Sequence, residues 1–452
     1  MSLNDEQDTA EISTETTRQL EEAEQAKRNT ASVIPMRNFY IIISAYLLFT
    51  LIDSALGMII LLELFQRKYN ALEISTMFIL YEIFGMITYL VAGLLAARQG
   101  LRFCLVIGLI FQLIGIGTLI GLQEYWPRTW VIMYISLAHS FNGIAKDMVK
   151  VSGKSMARLV TQEDSEHQPK LFRSVARITG AKNSIRGAGL PWGAFLLKLL
   201  NYRVSLSVLL GMIAIILAPC MLWLDSQLAV SGRVRVLTLR TIFDKGKDVN
   251  VLSLARIFLF GSRDMWFQVS LPLFLRGTFE WSFIATASLL AGWEIFYGAV
   301  QSSTPTLILR PIGIYPIKKA TYLVQTTLSL MIVTIAIAIV VTVKETNTTF
   351  YALFLTGLFV FAFVLAVNSS IHSFLIISYC RTDEVAINIG FYYMANAMGR
   401  LVGLIVGGTL FYYVGLDACL WTSAGALLIC MIVSAFLGPV PERPEKCVNS
   451  TQ

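Results

Sequence analysis

The chain has 452 residues, 56% of them hydrophobic and 14% charged, with a mean hydropathy of +0.66 and a formal net charge of +7. A soluble globular chain carries roughly a quarter charged residues, so a water-soluble enzyme is excluded. Collagen-like and disordered classes are excluded as well, because Gly 31 and Pro 12 are ordinary counts and aromatics reach 12%. The six cysteines stand singly without CxxC spacing, so no disulfide framework, metal site or cofactor is expected. Basic loops of a membrane protein account for the +7 charge without a nucleic-acid partner.

Residues 1–36 form a polar tail, acidic early and basic later, with no apolar core before a cleavage site. The tail is therefore neither a signal nor a transit peptide. Apolar runs of about 20 residues can cross a hydrocarbon core of roughly 30 Å as helices. Twelve such runs follow, at 37–65, 74–97, 101–122, 130–150, 171–197, 203–224, 249–275, 281–307, 320–343, 349–379, 385–413 and 416–437. They predict an all-α membrane protein with twelve transmembrane helices in two six-helix halves, 37–224 and 249–437. A basic linker, 225–248, joins the halves and holds Arg233, Arg235, Arg240, Lys245 and Lys247; a tail, 438–452, closes the chain. The excess of Lys and Arg in alternate loops puts both termini and the linker in the cytoplasm, with the plasma (cell) membrane as the expected location. Asn347-Thr348-Thr349 has the glycosylation pattern, but its outer loop is too short for modification to be expected.

After the second span, Gly93-Leu94-Leu95-Ala96-Ala97-Arg98-Gln99-Gly100-Leu101-Arg102 resembles the loop motif of the major facilitator superfamily, Gly-x-x-x-Asp-Arg-x-Gly-x-Arg/Lys. The resemblance implies the major facilitator fold and gives Gly93, Arg98, Gly100 and Arg102 a gate role through close helix approach and helix-end charge contacts. Ala97 replaces the usual Asp, so one gate ion pair is expected to be missing or made elsewhere.

An ionisable side chain at the bilayer centre costs at least about 2.5–3.5 kcal/mol, so embedded charges must face a wet cavity or a partner. Asp53 in span one and Glu82 in span two are candidate proton carriers, as is Glu294 in span eight. In span four, His139, Lys146 and Lys150 fall within about 40° of one another at helical spacing, with Asn142 nearby. In span five, Lys182 and Arg186 share a face at i, i+4, where like charges repel unless something anionic or wet lies beside them. Arg256 and Arg263 lie two turns apart on one face of span seven, and Arg400 adds a cation in span eleven. Cations outnumber acids, so a net positive cavity and an organic polyanion are expected. Lys146, Lys182, Arg186, Arg256 and Arg263 are read as binding it, with Asn183, Gln301 and Asn396 orienting it; Arg forks suit phosphate-like oxygens. The other reading is internal pairing that locks helices together, as for Asp264 beside Arg263 or Asp147 beside Lys146, and it applies equally to Arg177 and Arg400. His139 and His372 read as hydrogen-bonded interior residues, and Trp266, Phe267, Trp293 and Tyr297 as packing. Gly187, Gly189, Gly403 and Gly407 read as helix-packing positions.

Several stretches go beyond the superfamily. Phe49-Thr50-Leu51-Ile52-Asp53-Ser54-Ala55-Leu56, Leu80-Tyr81-Glu82-Ile83-Phe84-Gly85, Gly143-Ile144-Ala145-Lys146-Asp147, Thr179-Gly180-Ala181-Lys182-Asn183, Ala255 through Asp264, and Gly390 through Asn396 are similar to the ArsJ family of organoarsenical efflux permeases. The resemblance runs from about Asn38 to Leu437 and also takes in Tyr297 through Gln301. It implies export of 1-arseno-3-phosphoglycerate, hence arsenate detoxification, in functional partnership with a glyceraldehyde-phosphate dehydrogenase that makes this compound from arsenate. The family usually has Asn at Val149 and Ala at Gly153. Two further readings stand beside it: a major facilitator transporter of another organic phosphate or carboxylate, and a non-transporting membrane sensor. The sensor would want a large signalling domain that these short tails do not supply.

Overall fold

With no water in a bilayer core, backbone polar groups must be satisfied within the segment, so long apolar runs fold as helices. The computed structural model describes residues 36–123, 125–162, 168–225, 246–313, 319–343, 348–379 and 385–440, and their regular structure is helical throughout. The helices are α1 (Met36–Gln66), α2 (Ala71–Gln99), α3 (Leu101–Ile120), α4 (Arg128–Gln162), α5 (Gln168–Leu199), α6 (Tyr202–Leu222), α7 (Lys247–Asp264), α8 (Ser270–Gly277), α9 (Phe283–Ser303), α10 (Thr321–Val343), α11 (Thr348–Tyr379), α12 (Val385–Tyr413) and α13 (Leu416–Ser434). The tails before 36 and beyond 440, most of the linker and Asn347 lie outside the described residues, as do the side chains of Arg98 and Arg177.

Among the described residues, nine helical segments are long and apolar enough to cross a membrane. The expected spans missing from that set are the fourth, fifth and seventh, here α4, α5 and α7 with α8. These carry His139, Lys146, Lys182, Arg186, Arg256 and Arg263, so the charges that need partners inside the bundle are what remove them on composition. Polar caps start several helices. Asn70 and Glu73 form a reciprocal capping box on α2, with Glu73 N–H donating to Asn70 Oδ1 at 2.9 Å and Asn70 N–H to Glu73 Oε2 at 2.8 Å. Asn201 and Ser282 cap α6 and α9 in the same single-donor way.

The sequence predicts one helix over 249–275, but the chain breaks between Asp264 and Ser270. Pro272 has no N–H to offer the Gln268 carbonyl one turn earlier. Leu271 N–H reaches back to Trp266 O instead, at 2.7 Å, and Ser270 Oγ donates to Met265 O at 3.3 Å. The break therefore falls directly after the Arg263-Asp264 pair.

In the first half, α1 packs on α5, α4 and α6, and α4 on α2 and α3; in the second, α7 packs on α12 and α13, and α10 on α13 and α11. The halves meet along two seams, α5 against α9 and α2 against α12. Small residues set the closest approaches. A Cβ on Gly180 would strike Gly298 O, and one on Gly298 would strike Gly180 O. On α12, Gly399, Gly403 and Gly407 lie against the carbonyls of Ile257, Gly261 and Met265. Outward faces carry exposed apolar side chains such as Ile215, Leu222, Ile332 and Phe436, as contact with lipid requires.

Replacing Gly403 with Leu should push α12 off α7 and cost about 1–3 kcal/mol or more, read as a lower Tm and less monodisperse protein. Gly425→Ala, where a Cβ meets nothing, should leave both unchanged.

Candidate functional site

One cavity of about 150 Å³ opens between the halves. Its charged lining comes from Asp53 of α1, Glu82 of α2, Lys146 and Lys150 of α4, Lys182 and Arg186 of α5, Arg263 and Asp264 of α7, Glu294 of α9 and Arg400 of α12. Six cations thus face four carboxylates, and both halves contribute to each sign. The helices that bring them together are the charge-bearing α4, α5 and α7 and the two seams.

The charges form a chain of alternating sign across the molecule. Lys146 Nζ lies 3.4 Å from Glu82 Oε1, and the other Glu82 oxygen accepts from Arg400 Nη2 of the opposite half. Arg400 Nε lies 4.0 Å from Asp264 Oδ2, and Asp264 Oδ1 accepts from Arg263 Nε at 2.6 Å. Glu82 is 2% exposed and Asp264 0% by side chain, so these pairs act in a low-dielectric interior where a lost partner is costly. The second seam is looser: Arg186 Nη1 and Glu294 Oε1 are 3.9 Å apart, beyond hydrogen-bond length.

Asp53 differs from the other two candidate proton carriers. Glu82 and Glu294 both make ion pairs, whereas Asp53 makes none among the described residues and accepts from Tyr81 Oη at 2.9 Å. The Tyr81 ring is itself held between the Lys146 ammonium, 3.9 Å from its centroid, and the stacked His139 ring at 4.4 Å. His139 is tied through Nδ1 to Asn142 Nδ2 at 3.2 Å, as a hydrogen-bonded interior residue that also touches the cavity.

Four of the expected substrate ligands lie elsewhere. Asn183, Gln301, Arg256 and Asn396 do not line the cavity; they stand one to two turns away, toward the face at which α5, α7 and α12 begin. There they bond to one another. Asn183 Nδ2 donates to Gln301 Oε1 at 2.6 Å across the α5–α9 seam, and Gln301 Nε2 to Ser369 Oγ at 3.3 Å. Arg256 donates from Nη1 to Ser369 Oγ at 3.3 Å and from Nε to Asn396 Oδ1 at 3.0 Å, with its guanidinium over the Phe260 ring. Lys182 joins the two groups, lining the cavity while its Nζ donates to Asn183 Oδ1 at 3.0 Å. Sequence reasoning passed over Ser369, whose signal was the polar Asn368-Ser369-Ser370 triplet in an apolar span, and also Tyr81 and Gln268.

On the same side, Lys150 pairs with Asp147 at 3.1 Å and lies over the rings of Tyr89 and Tyr393 from opposite halves. In the loop motif, Gly100 takes φ +89 between α2 and α3, a conformation that favours glycine. Arg102 Nη2 donates to Met221 O at 2.6 Å, near the end of α6, where free carbonyls attract a cation. Gly93 and Arg98 belong to the end of α2.

Long helices in two halves, two seams between them and a charged central cavity are the layout of a two-half transporter, and a sequence comparison settles the family: the Major Facilitator Superfamily profile matches residues 42–376 and 327–452. The chain belongs to the major facilitator superfamily. It is a multi-pass membrane transporter of that superfamily and not an enzyme. Its fold is similar to that of the human organic anion transporter MFSD10 (TETRAN), with a TM-score of 0.63 at 15% identity over 89% of this chain and 100% of that one. It is also similar to that of the nucleoside transporter NupG, with a TM-score of 0.64 at 13% identity over 89% of this chain and 99% of that one. At such identities the likeness carries the fold alone. No curated protein matches the chain.

Glu82→Gln should lower thermal stability by about 3–5 kcal/mol, since it strands two buried cations. In a double-mutant cycle, Arg400→Gln on that background should recover part of the loss, with a coupling of about 1 kcal/mol or more. Simple additivity would refute the pairing.

Proposed function

We propose that the chain moves a small organic polyanion by alternating access, the two halves rocking about the central cavity. The observation that carries this reading is that cations from both halves line one cavity and outnumber the carboxylates there, six to five once Asp147, the partner of Lys150, is counted. Structural pairing alone needs no excess; a bound anion makes up the difference. Arg186 and Lys182 are the groups best placed to receive it. Arg186 sits 3.9 Å from its only ion-pair partner among the described residues, and a fork held that loosely can turn to a phosphate-like group. Asn183, Gln301, Arg256 and Asn396, bonded to one another beside the cavity, act in this reading as the closure on one side of the site and not as ligands. Asp53, which makes no ion pair among the described residues, is the carboxylate best placed to carry a coupling proton.

The resemblance to the ArsJ permeases narrows the anion to 1-arseno-3-phosphoglycerate and the direction to export. Both ends of that molecule are oxyanions, as a cavity with cations on two sides requires. Release outside the cell and hydrolysis there would remove arsenate, in partnership with the dehydrogenase that forms the compound.

Reconstituted in proteoliposomes, the chain should exchange labelled 3-phosphoglycerate and ignore a neutral nucleoside. Arg186→Ala should raise the half-saturating concentration tenfold or more, about 1.4 kcal/mol. Exchange of the nucleoside with no exchange of any organic anion would overturn the reading. In cells, arsenate resistance that depends on a co-expressed glyceraldehyde-phosphate dehydrogenase is the expected result for the arsenical. Anion exchange without such resistance would leave another organic phosphate or carboxylate as the cargo.

A further inference from the structure

We propose that Asp264 is a specificity-determining residue that selects the protonated form of an oxyanion, so that the cavity accepts a phosphate or arsenate monoester and turns away a sulfate ester or a plain carboxylate. The inference rests on the organic-anion reading above and adds to it the chemical form in which the anion binds.

Asp264 is an unexpected group on the wall of an anion site. Its side chain is 0% exposed and lines the cavity, where it sets a negative charge against any anionic ligand. One oxygen, Oδ1, is used by Arg263 at 2.6 Å, whereas Oδ2 accepts no hydrogen bond among the described residues. Facing it, Arg400 Nε is likewise buried and donates none. The two atoms are 4.0 Å apart, too far to bond to each other. Both atoms are closed to water in this state, so an oxygen reaches them only when the α2–α12 seam parts slightly; at about 2.8 Å from each it then spans the gap, with an angle of about 90° or more at that oxygen.

Such an oxygen must accept from the Arg400 N–H and donate to the Asp264 carboxylate. It must therefore be a hydroxyl, since an oxygen without a proton would set its lone pairs against those of Oδ2 and leave that acceptor unsatisfied. On an oxyanion the group that meets this condition is P–OH or As–OH. A phosphate monoester keeps a second proton with a pKa of about 6, so a useful fraction is protonated near neutral pH. A sulfate monoester has no second proton, and a carboxylic acid with a pKa of about 4 has lost its own. The charged groups around Asp264 are Arg263 on its own helix, Arg400 from α12 with Glu82 of α2 behind it, and Glu294 from α9; Asp53, Lys146 and Arg186 lie across the cavity.

The test is equilibrium binding to the purified full chain in detergent, using 3-phosphoglycerate and its sulfate-ester counterpart from pH 5.5 to 8.5. Wild type should bind the phosphate ester at least tenfold more tightly than the sulfate ester. Its affinity for total phosphate ester should fall as pH rises, by roughly tenfold per unit once the ligand's second proton is lost above about pH 6. Asp264→Asn, which can donate where Asp accepts, should bind both esters within about threefold and show a flat pH profile. Equal, pH-independent binding of the two esters by wild type would mean that water fills the gap; selection by Asp264 is then wrong while the anion reading stands. Binding of neither ester at any pH would remove the anion reading and this inference with it. The wild-type comparison decides the matter even if the variant is unstable.

Discussion

Glu82 is one carboxylate shared by two cations from different halves, and the rest of the central structure depends on that sharing. Lys146 holds it from α4 and Arg400 from α12, so the α2–α12 seam is closed by charge and not by apolar packing alone. Arg400 in turn approaches Asp264, which holds Arg263. A change anywhere along this row alters the partner of every group in it. In a low-dielectric interior each step is a matter of several kcal/mol, so the row has a few discrete arrangements and does not deform continuously. An anion entering the cavity can take the place of Glu82 at either cation, and in the proposed cycle that exchange of partners is what links occupancy to the separation of the halves.

The two polar layers divide the work. In the cavity, charges are held at mixed distances, from direct contact at Glu82 and Arg400 to 3.9 Å at Arg186 and Glu294. One to two turns away, Asn183, Gln301, Ser369, Arg256 and Asn396 bond in an unbroken run across the α5–α9 seam. The first arrangement leaves capacity for a ligand, whereas the second uses its own. Backbone contact between Gly180 and Gly298 lies beside the second layer, so the tightest part of that seam is where its polar groups are most fully satisfied.

Much of this architecture is legible in the sequence, because a bilayer leaves so few solutions. Runs of apolar residues can only be spans, and Lys182, Arg186, Arg263 and Glu82, too costly for lipid, can only face inward. What periodicity does not supply is which inward-facing group touches which. Arg256 and Arg263 share one face of α7, yet two turns of rise place one in the bonded layer and the other in the cavity. Asn183 sits next to Lys182 in sequence, but its amide reaches Gln301, 118 residues away. The break in the seventh span was signalled by Pro272 and went unread, because the apolar run continues through it without interruption. Asp53, Glu82 and Glu294 look alike as embedded acids, and only their neighbours in space separate the two that make ion pairs from the one that makes none among the described residues.

The interruption after Asp264 has a mechanical consequence. Through Gly399, Gly403 and Gly407, the long part of the seventh span is fused backbone to backbone with α12, so the two move as a single strut. The eight residues of α8 are joined to that strut by the turn at 265–269, where Pro272 leaves the Gln268 carbonyl without its usual donor and Leu271 N–H reaches back to Trp266 O. Bending stiffness is therefore lowest at one known place, and that place adjoins the charged row. Arg263 and Asp264 thus sit where a long arm of 18 residues gives way to a short one of eight. A load on either arm falls first on the joint beside the charged cavity.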